Sequence, residues 1–300
     1  MRPLPEETQH DPIEAGPYRM AMGLTVVPES HWFEIDALYP IEMAEKRRLL
    51  ATQHADVFAV TPGSEAARAE ALAMILAHLT AHHPDWFSVS GNTVTNHLTG
   101  EVWHSDGTDP LERAGRLLQD DLCLIQNTDK GPIFTAGMLC FPSRWRLDEK
   151  IGRPLSEVHG SVPMYADRLA APVDRFMRNL RPGRIASRLN WSIVDDPALF
   201  QPGGKWRTQR NDTITAENAP EKLFLRVERQ TLRLLPDSGA VLFGIRVHVY
   251  PLHRAASPRL AEAVRALPDD IARYKSLPSF RTALLAWLDR VQGHPIGPIP

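Results

Sequence analysis

One histidine, His159, stands where a short helical segment gives way to Gly160 and a Val-Pro step in IGRPLSEVHGSVP. A neutral imidazole in such a place can ligate a metal or take a proton. Soon after it, Arg188 and Asn190 stand two apart in RIASRLNWSIV, so a strand puts both on one face. The same alternation groups Arg226, Glu228 and Gln230 in FLRVERQTLRLLP, and Arg246, His248 and Tyr250 in SGAVLFGIRVHVYPL. Arginine binds carboxylates through paired hydrogen bonds, whereas an ordinary exposed strand more often carries Thr, Lys and Glu. A helix carrying one histidine, with polar strand faces across from it, suffices to sandwich a flat cofactor such as a haem. The plainer alternatives are an antiparallel sheet with one solvated face and, for His159, a core or capping role.

Other chemistry-bearing groups are less demanding. His78, His82 and His83 fall near the end of a helical stretch, and His78 and His82 at i, i+4 suit a metal, but the intervening residues hold no third ligand and a helix C-terminus favours cations anyway. His104 and Asp106 share a loop over 101–109, where a solvated role is the simpler reading. Cys123 and Cys140 sit inside the apolar runs DLCLI and GMLCF, which predicts two buried free thiols. There is no CxxC, no GxGxxG after a strand, no Walker pattern and no GxSxG elbow. Nucleotide, flavin and iron–sulfur chemistry is therefore expected on other chains.

The elements that must position these groups follow from pattern. The chain has 300 residues, 43% hydrophobic and 23% charged, with a formal charge of −2. That is globular composition without the basic stripe of a nucleic-acid binder. No run approaches the roughly 18 apolar residues of a membrane span. The polar, Pro-rich N-terminus lacks a signal-like apolar stretch, so a cytoplasmic protein is expected. Residues 1–30 read as an arm, with residues 32–39 anchoring it to the body. Helices are expected over 41–54, from Ser64 to 83, from Pro110 onward with Leu111, Ala114, Leu117, Leu118 and Leu122 on one face, and over 163–180. Strands are expected over 57–61, 87–98 with a Gly-Asn turn, and 133–141, the last fully buried. Three more follow at 185–194, 223–235 and 240–251, the last two joined by the tight turn Pro236-Asp237-Ser238-Gly239. A polar loop spans 197–220, helices broken at Pro268 and Pro278 fill 257–288, and the end is coil. An antiparallel sheet with segregated helices is an α+β layout.

The blocks EKIGRPLSEVHGSVPMY, SRLNWSI, FLRVERQTLRLLP and SGAVLFGIRVHVYPL, with RLLQDDLCL and MLCFPSRW, resemble those of the haem-dependent oxidative N-demethylase family, alpha-subunit-like. The resemblance spans roughly residues 30–290. It implies a PAS-like sheet with N- and C-terminal helical extensions, in one haem-binding catalytic domain over 31–290, between the arm at 1–30 and a tail at 291–300. It implies haem b and the oxidative demethylation of a small methylated amine such as dimethylamine, using dioxygen and releasing formaldehyde. Electrons would come from NADPH through partner reductase subunits carrying FMN and a [2Fe-2S] cluster. In haem-binding PAS domains the proximal histidine precedes the last three strands. Carried onto this chain, His159 is the iron ligand, with His104 and His248 as fallbacks. Arg188 or Asn190 would orient dioxygen or meet a propionate, Glu228 would hold an ammonium or relay protons, and Arg226 and Arg246 would pair with propionates. Two rivals stay open. One is a haem-based gas or redox sensor, although the length leaves no room for an output module. The other is a non-catalytic protein that binds a small ligand.

Overall fold

A computed structural model describes residues 2–292 except 15, 105, 106, 130 and 256. Asp106 and the expected coil over 293–300 therefore lie outside the described residues. The strands are β1 (Thr25–Val27), β2 (Phe58–Val60), β3 (Phe87–Ser90), β4 (Thr93–Asn96), β5 (Glu101–Trp103), β6 (Asp121–Thr128), β7 (Gly131–Met138), β8 (Ile185–Val194), β9 (Phe224–Leu234) and β10 (Val241–Pro251). Seven of them form one sheet in the order β1-β8-β9-β10-β6-β7-β2, and β3, β4 and β5 form a small meander. Every pairing is antiparallel. With helices packed around the sheet, the fold is α+β.

Local sequence explains most of the boundaries. Asp109 caps the helix Pro110–Gly115 by accepting a hydrogen bond from the Leu111 amide at 2.8 Å, and Pro110 occupies the first turn, where its missing N–H costs nothing. That helix is shorter than the apolar spacing predicts. Leu122, Cys123, Leu124 and Ile125 instead form β6, buried on both faces between β10 and β7. A run apolar on every side fits a central strand and a buried helix equally well, so periodicity alone cannot separate them. Ser64 occupies the N-cap position of the helix Glu65–His82 but does not cap it. Its hydroxyl donates to Thr61 O at 2.7 Å and accepts from Arg68 Nε at 3.1 Å. Both cysteines are buried and free.

The register of the last three strands sets the site. Across β8 and β9, Arg188 faces Gln230, Asn190 faces Glu228 and Ser192 faces Arg226. Across β9 and β10, Gln230 faces Ile245 and Glu228 faces Val247, while Arg229 faces Arg246 and Val227 faces His248. Directly opposed residues share a sheet face. One face therefore carries Arg188, Asn190, Glu228 and Gln230 beside apolar Ile245 and Val247, and the other carries Arg229, Arg246 and His248. The second face is covered by the N-terminal helices, whose Glu42 and Lys46 reach into it, and by the core around Trp32, Phe33, Tyr39 and Ile75. The first face is covered by the segment between β7 and β8, which holds the helices Leu155–Val158, Tyr165–Arg168 and Ala170–Asn179. The C-terminal helices pack on Leu225, Val227 and Tyr250. β1 pairs only with Ile185, Ala186 and Ser187, so beyond Ser187 that edge of β8 is open.

Candidate functional site

A cavity of about 770 Å³ lies between the first face of β8–β10 and the helices that cover it, and it continues around the open edge of β8 to the N-terminal arm. His159 stands on its wall. Pro154 starts the short helix Leu155–Val158 with its fixed φ, and the chain then tightens, the His159 amide bonding Leu155 O at 3.0 Å and the Gly160 amide bonding Glu157 O at 3.0 Å. The imidazole repeats the backbone's choice, its Nδ1 donating to Leu155 O at 2.9 Å. A carbonyl only accepts, so Nδ1 carries the proton and Nε2 keeps its lone pair. Nε2 has no hydrogen-bond partner among the described residues and opens to the cavity. Tyr165 stacks on the ring at 4.6 Å with planes 14° apart, which fixes its orientation. Burial pushes the His159 pKa down to about 4, and the nearby Lys150, Arg188 and Lys205 charges add to this. The ring is therefore neutral at physiological pH.

Across the cavity, Glu228 accepts from Asn190 Nδ2 at 3.2 Å and from Gln230 Nε2 at 2.8 Å, both on one carboxylate oxygen. Burial alone would raise its pKa, but the hydrogen bonds from Ser143, Asn190 and Gln230 and the Arg226 charge outweigh it and hold the carboxyl below its usual range. Beside it, burial lowers the pKa of Arg188, whose Nε has no hydrogen-bond partner among the described residues. Three lysines also line the cavity. Lys150 donates to Val158 O and Lys275 to Trp191 O, and burial pushes each to about 8. Lys205 donates to Tyr274 Oη at 3.1 Å and is lowered for the same reason. Four half-buried cations, Arg188, Lys150, Lys205 and Lys275, thus stand around Glu228, while Asp11 and Glu14 line the cavity from the arm.

The sequence-predicted residues divide by sheet face. His159, Arg188, Asn190 and Glu228 come together on the cavity. Arg226 also borders it, but its guanidinium is fully engaged, with Ser143 Oγ at 2.7 Å, Phe141 O at 2.9 Å and the Ala198 and Leu199 carbonyls both at 3.0 Å. It ties two loops to β9, and most of its donors are spent on them. Arg246 and His248 lie on the other face, where Arg246 meets Asp36 at 3.1 Å and Glu42 at 2.8 Å and His248 meets Glu34 at 3.1 Å. Alternation had grouped them correctly within β10, but the register across the hairpin turns that group away from Glu228. His104 sits in the small meander, bonded to Thr93 Oγ1 at 3.0 Å and away from the cavity. The three lysines, Tyr165 and Tyr274 were not found by sequence reasoning. They come from loops and helix ends far apart in the chain, and only Lys150 and Tyr165, in the block that carries His159, offered a signal.

The chain matches the family described as haem-dependent oxidative N-demethylase, alpha subunit-like, over residues 23–285. It belongs to that family. The matched span includes every cavity residue discussed above, from Lys150 to Lys275. The family's name supports an oxidoreductase reading, and "alpha subunit" supports an assembly with other chains. Among the described residues, no helix is long and apolar enough to cross a membrane.

Proposed function

We propose that the chain binds haem b in this cavity and catalyses the oxidative N-demethylation of a small methylated amine. The observation that carries the reading is His159: a neutral imidazole with Nδ1 committed to Leu155 O and an unpartnered Nε2 on a cavity whose volume lies within the range of ~300–1,000 Å³ usual for ligand and cofactor sites. A carbonyl partner on the second ring nitrogen is the usual companion of a metal-ligating histidine. The excess of half-buried cations around Glu228 fits an anionic guest such as a haem with its propionates, because charge withdrawn from water is costly unless it is paired. His159 precedes β8, β9 and β10 in the chain, which supports the PAS-like reading of the fold.

In this reading His159 Nε2 is the iron ligand, and the bound haem supplies the activation of dioxygen. Arg188, with its free Nε, faces dioxygen or a propionate. Lys150, Lys205 and Lys275 balance the cofactor's negative charge. Glu228, ionised and held in orientation by Asn190 and Gln230, would hold the substrate ammonium by its charge or relay protons. Hydroxylation of an N-methyl carbon then yields a carbinolamine, which separates into formaldehyde and the shorter amine. The two electrons come from NADPH through flavin and iron–sulfur reductase chains that dock as partners.

Absorbance of the purified chain tests the cofactor. A Soret band that moves on reduction and on carbon monoxide binding is expected. A preparation that stays colourless after reconstitution with hemin sinks the proposal. Formaldehyde release from a panel of methylated amines, driven by a surrogate reductase, then tests the reaction, and dimethylamine is the first substrate to try.

A further inference from the structure

The i, i+4 pair His78 and His82 is not part of the cavity wall, and its own segment offers no third ligand. The fold supplies one. The 3-10 turn Glu29–His31 brings Glu29 to the end of the helix Glu65–His82, and one ligand atom each from Glu29, His78 and His82 lies within 4.8 Å of the others. The His78 and His82 ring centroids are 4.7 Å apart. His78 Nδ1 is 3.5 Å from Glu29 Oε1, too far for a good hydrogen bond.

The second observation is an unmet need at the same place. The His78 side chain is 0% exposed, and neither of its ring nitrogens has a hydrogen-bond partner among the described residues. The Nε2 of His83, whose ring lies 5.8 Å from that of His78, is likewise buried without one. A neutral imidazole has one N–H and one lone pair, and leaving both unmet in a core is unfavourable. Trp32 and Phe33 present ring contacts to His78 at 5.3 and 5.6 Å and offer no acceptor to it. A metal ion answers the lone pair directly.

We propose that Glu29, His78 and His82 bind one divalent transition-metal ion, with zinc the best fit. Two imidazoles and one carboxylate suit zinc and its neighbours, whereas calcium and magnesium prefer all-oxygen sites. Glu29 and His82 both reach solvent, which gives the ion a path in and leaves a fourth position for water. Arg233 donates to Glu29 and lies over the Trp32 ring at 3.9 Å, so it orients the carboxylate from outside the ligand set. Arg2, the other nearby cation, faces His83. A bound ion clamps the turn before Trp32 to the helix and so fastens the anchor of the N-terminal arm. In the other two-histidine cluster, His10, Glu34 and His248, both imidazoles already hydrogen-bond the carboxylate, at 2.9 and 3.1 Å, and it serves as a control.

The test is calorimetric titration of zinc into the untagged full-length chain after chelator treatment, with cobalt substitution to read the coordination spectroscopically. One equivalent of zinc is expected, with a rise in melting temperature. His82→Ala and Glu29→Gln, at positions that reach solvent and so should leave the fold intact by circular dichroism, should each weaken binding at least tenfold, while His10→Ala leaves it unchanged. No zinc binding by the wild-type chain overturns the proposal. So does binding that survives both His82→Ala and Glu29→Gln, or binding that His10→Ala abolishes.

Discussion

On one face of β9 and β10, Arg246 meets Asp36 and Glu42, and Arg229 meets Glu34, while Lys46 on the helix behind them meets Asp121. On the other face, Arg188 stands with Lys150, Lys205 and Lys275 around a single carboxylate, Glu228. The residue types are alike, with the cations of the first set buried and those of the second half-buried against the cavity. What differs is closure: each cation of the first set has an acidic partner, while the second has more positive charge than the chain itself neutralises. A closed set of buried ion pairs holds a fold in one arrangement. An unbalanced set marks where something from outside completes it.

Breaking the closed face should have the largest effect. Arg246→Met strands Asp36 and Glu42 in the core and should cost about 3–5 kcal/mol in urea unfolding. Arg188→Met, with no carboxylate bonded to it, should change the stability of the haem-free chain by less than about 1 kcal/mol, the scale of a substitution that breaks no buried pair. Equal losses at the two positions would erase the distinction between the faces.

Glu228→Gln reverses the emphasis. It keeps the shape of the side chain and removes only its charge. Turnover should fall about 100-fold, the scale of a lost proton-transfer group, with haem content unchanged. Unaltered turnover would remove Glu228 from the reaction.

Acid should act on both faces. His159 on the cavity and His248 on the closed face are each held at about 4 by burial, against an ordinary value of 6.5. Between those values the unfolded chain binds the protons more readily, so stability is lost as pH falls from 6.5 towards 4. Urea midpoints of the haem-free chain should fall across that window, and His159→Gln and His248→Gln should each flatten the fall. A small effect belongs to Lys275→Met, which removes a half-buried cation whose folded pKa is about 8. The haem-free chain should gain on the order of 1 kcal/mol, because burial disfavours the charged form. Haem affinity should drop in the same variant, and hemin titration would show it.

How much of this was legible in the sequence depends on the distance over which a signal acts. β8, β9 and β10 fall within a residue of their predicted ends because alternation and the Pro236–Gly239 turn are local. Burial of Cys123 and Cys140 follows equally from their apolar neighbours. The helix read from Pro110 onward stops at Gly115, because a doubly buried strand has no periodicity of its own to announce it. Arg246 and His248 show the sharper limit. Alternation tells which residues of one strand share a face, but the partner of that face is set by register, and shifting β10 by one residue would have put both into the cavity. Lys205 and Lys275 carried no signal, since their meeting with Lys150 and His159 depends on the whole topology.

The seam between β6 and β10 has a consequence for how the protein comes into being. Ile125 pairs with Val241, and nearly the whole site-bearing segment is threaded between them in sequence. The hairpin of β6 and β7 forms locally, and so does the meander of β8, β9 and β10, but joining them requires closing a long loop, a slow step in folding. During synthesis β6 therefore waits with an apolar edge unpaired until β10 has left the ribosome. Until then the cavity has only part of its wall. The site is among the last parts of the molecule to form, and under the proposed function loading of haem would wait for the finished sheet.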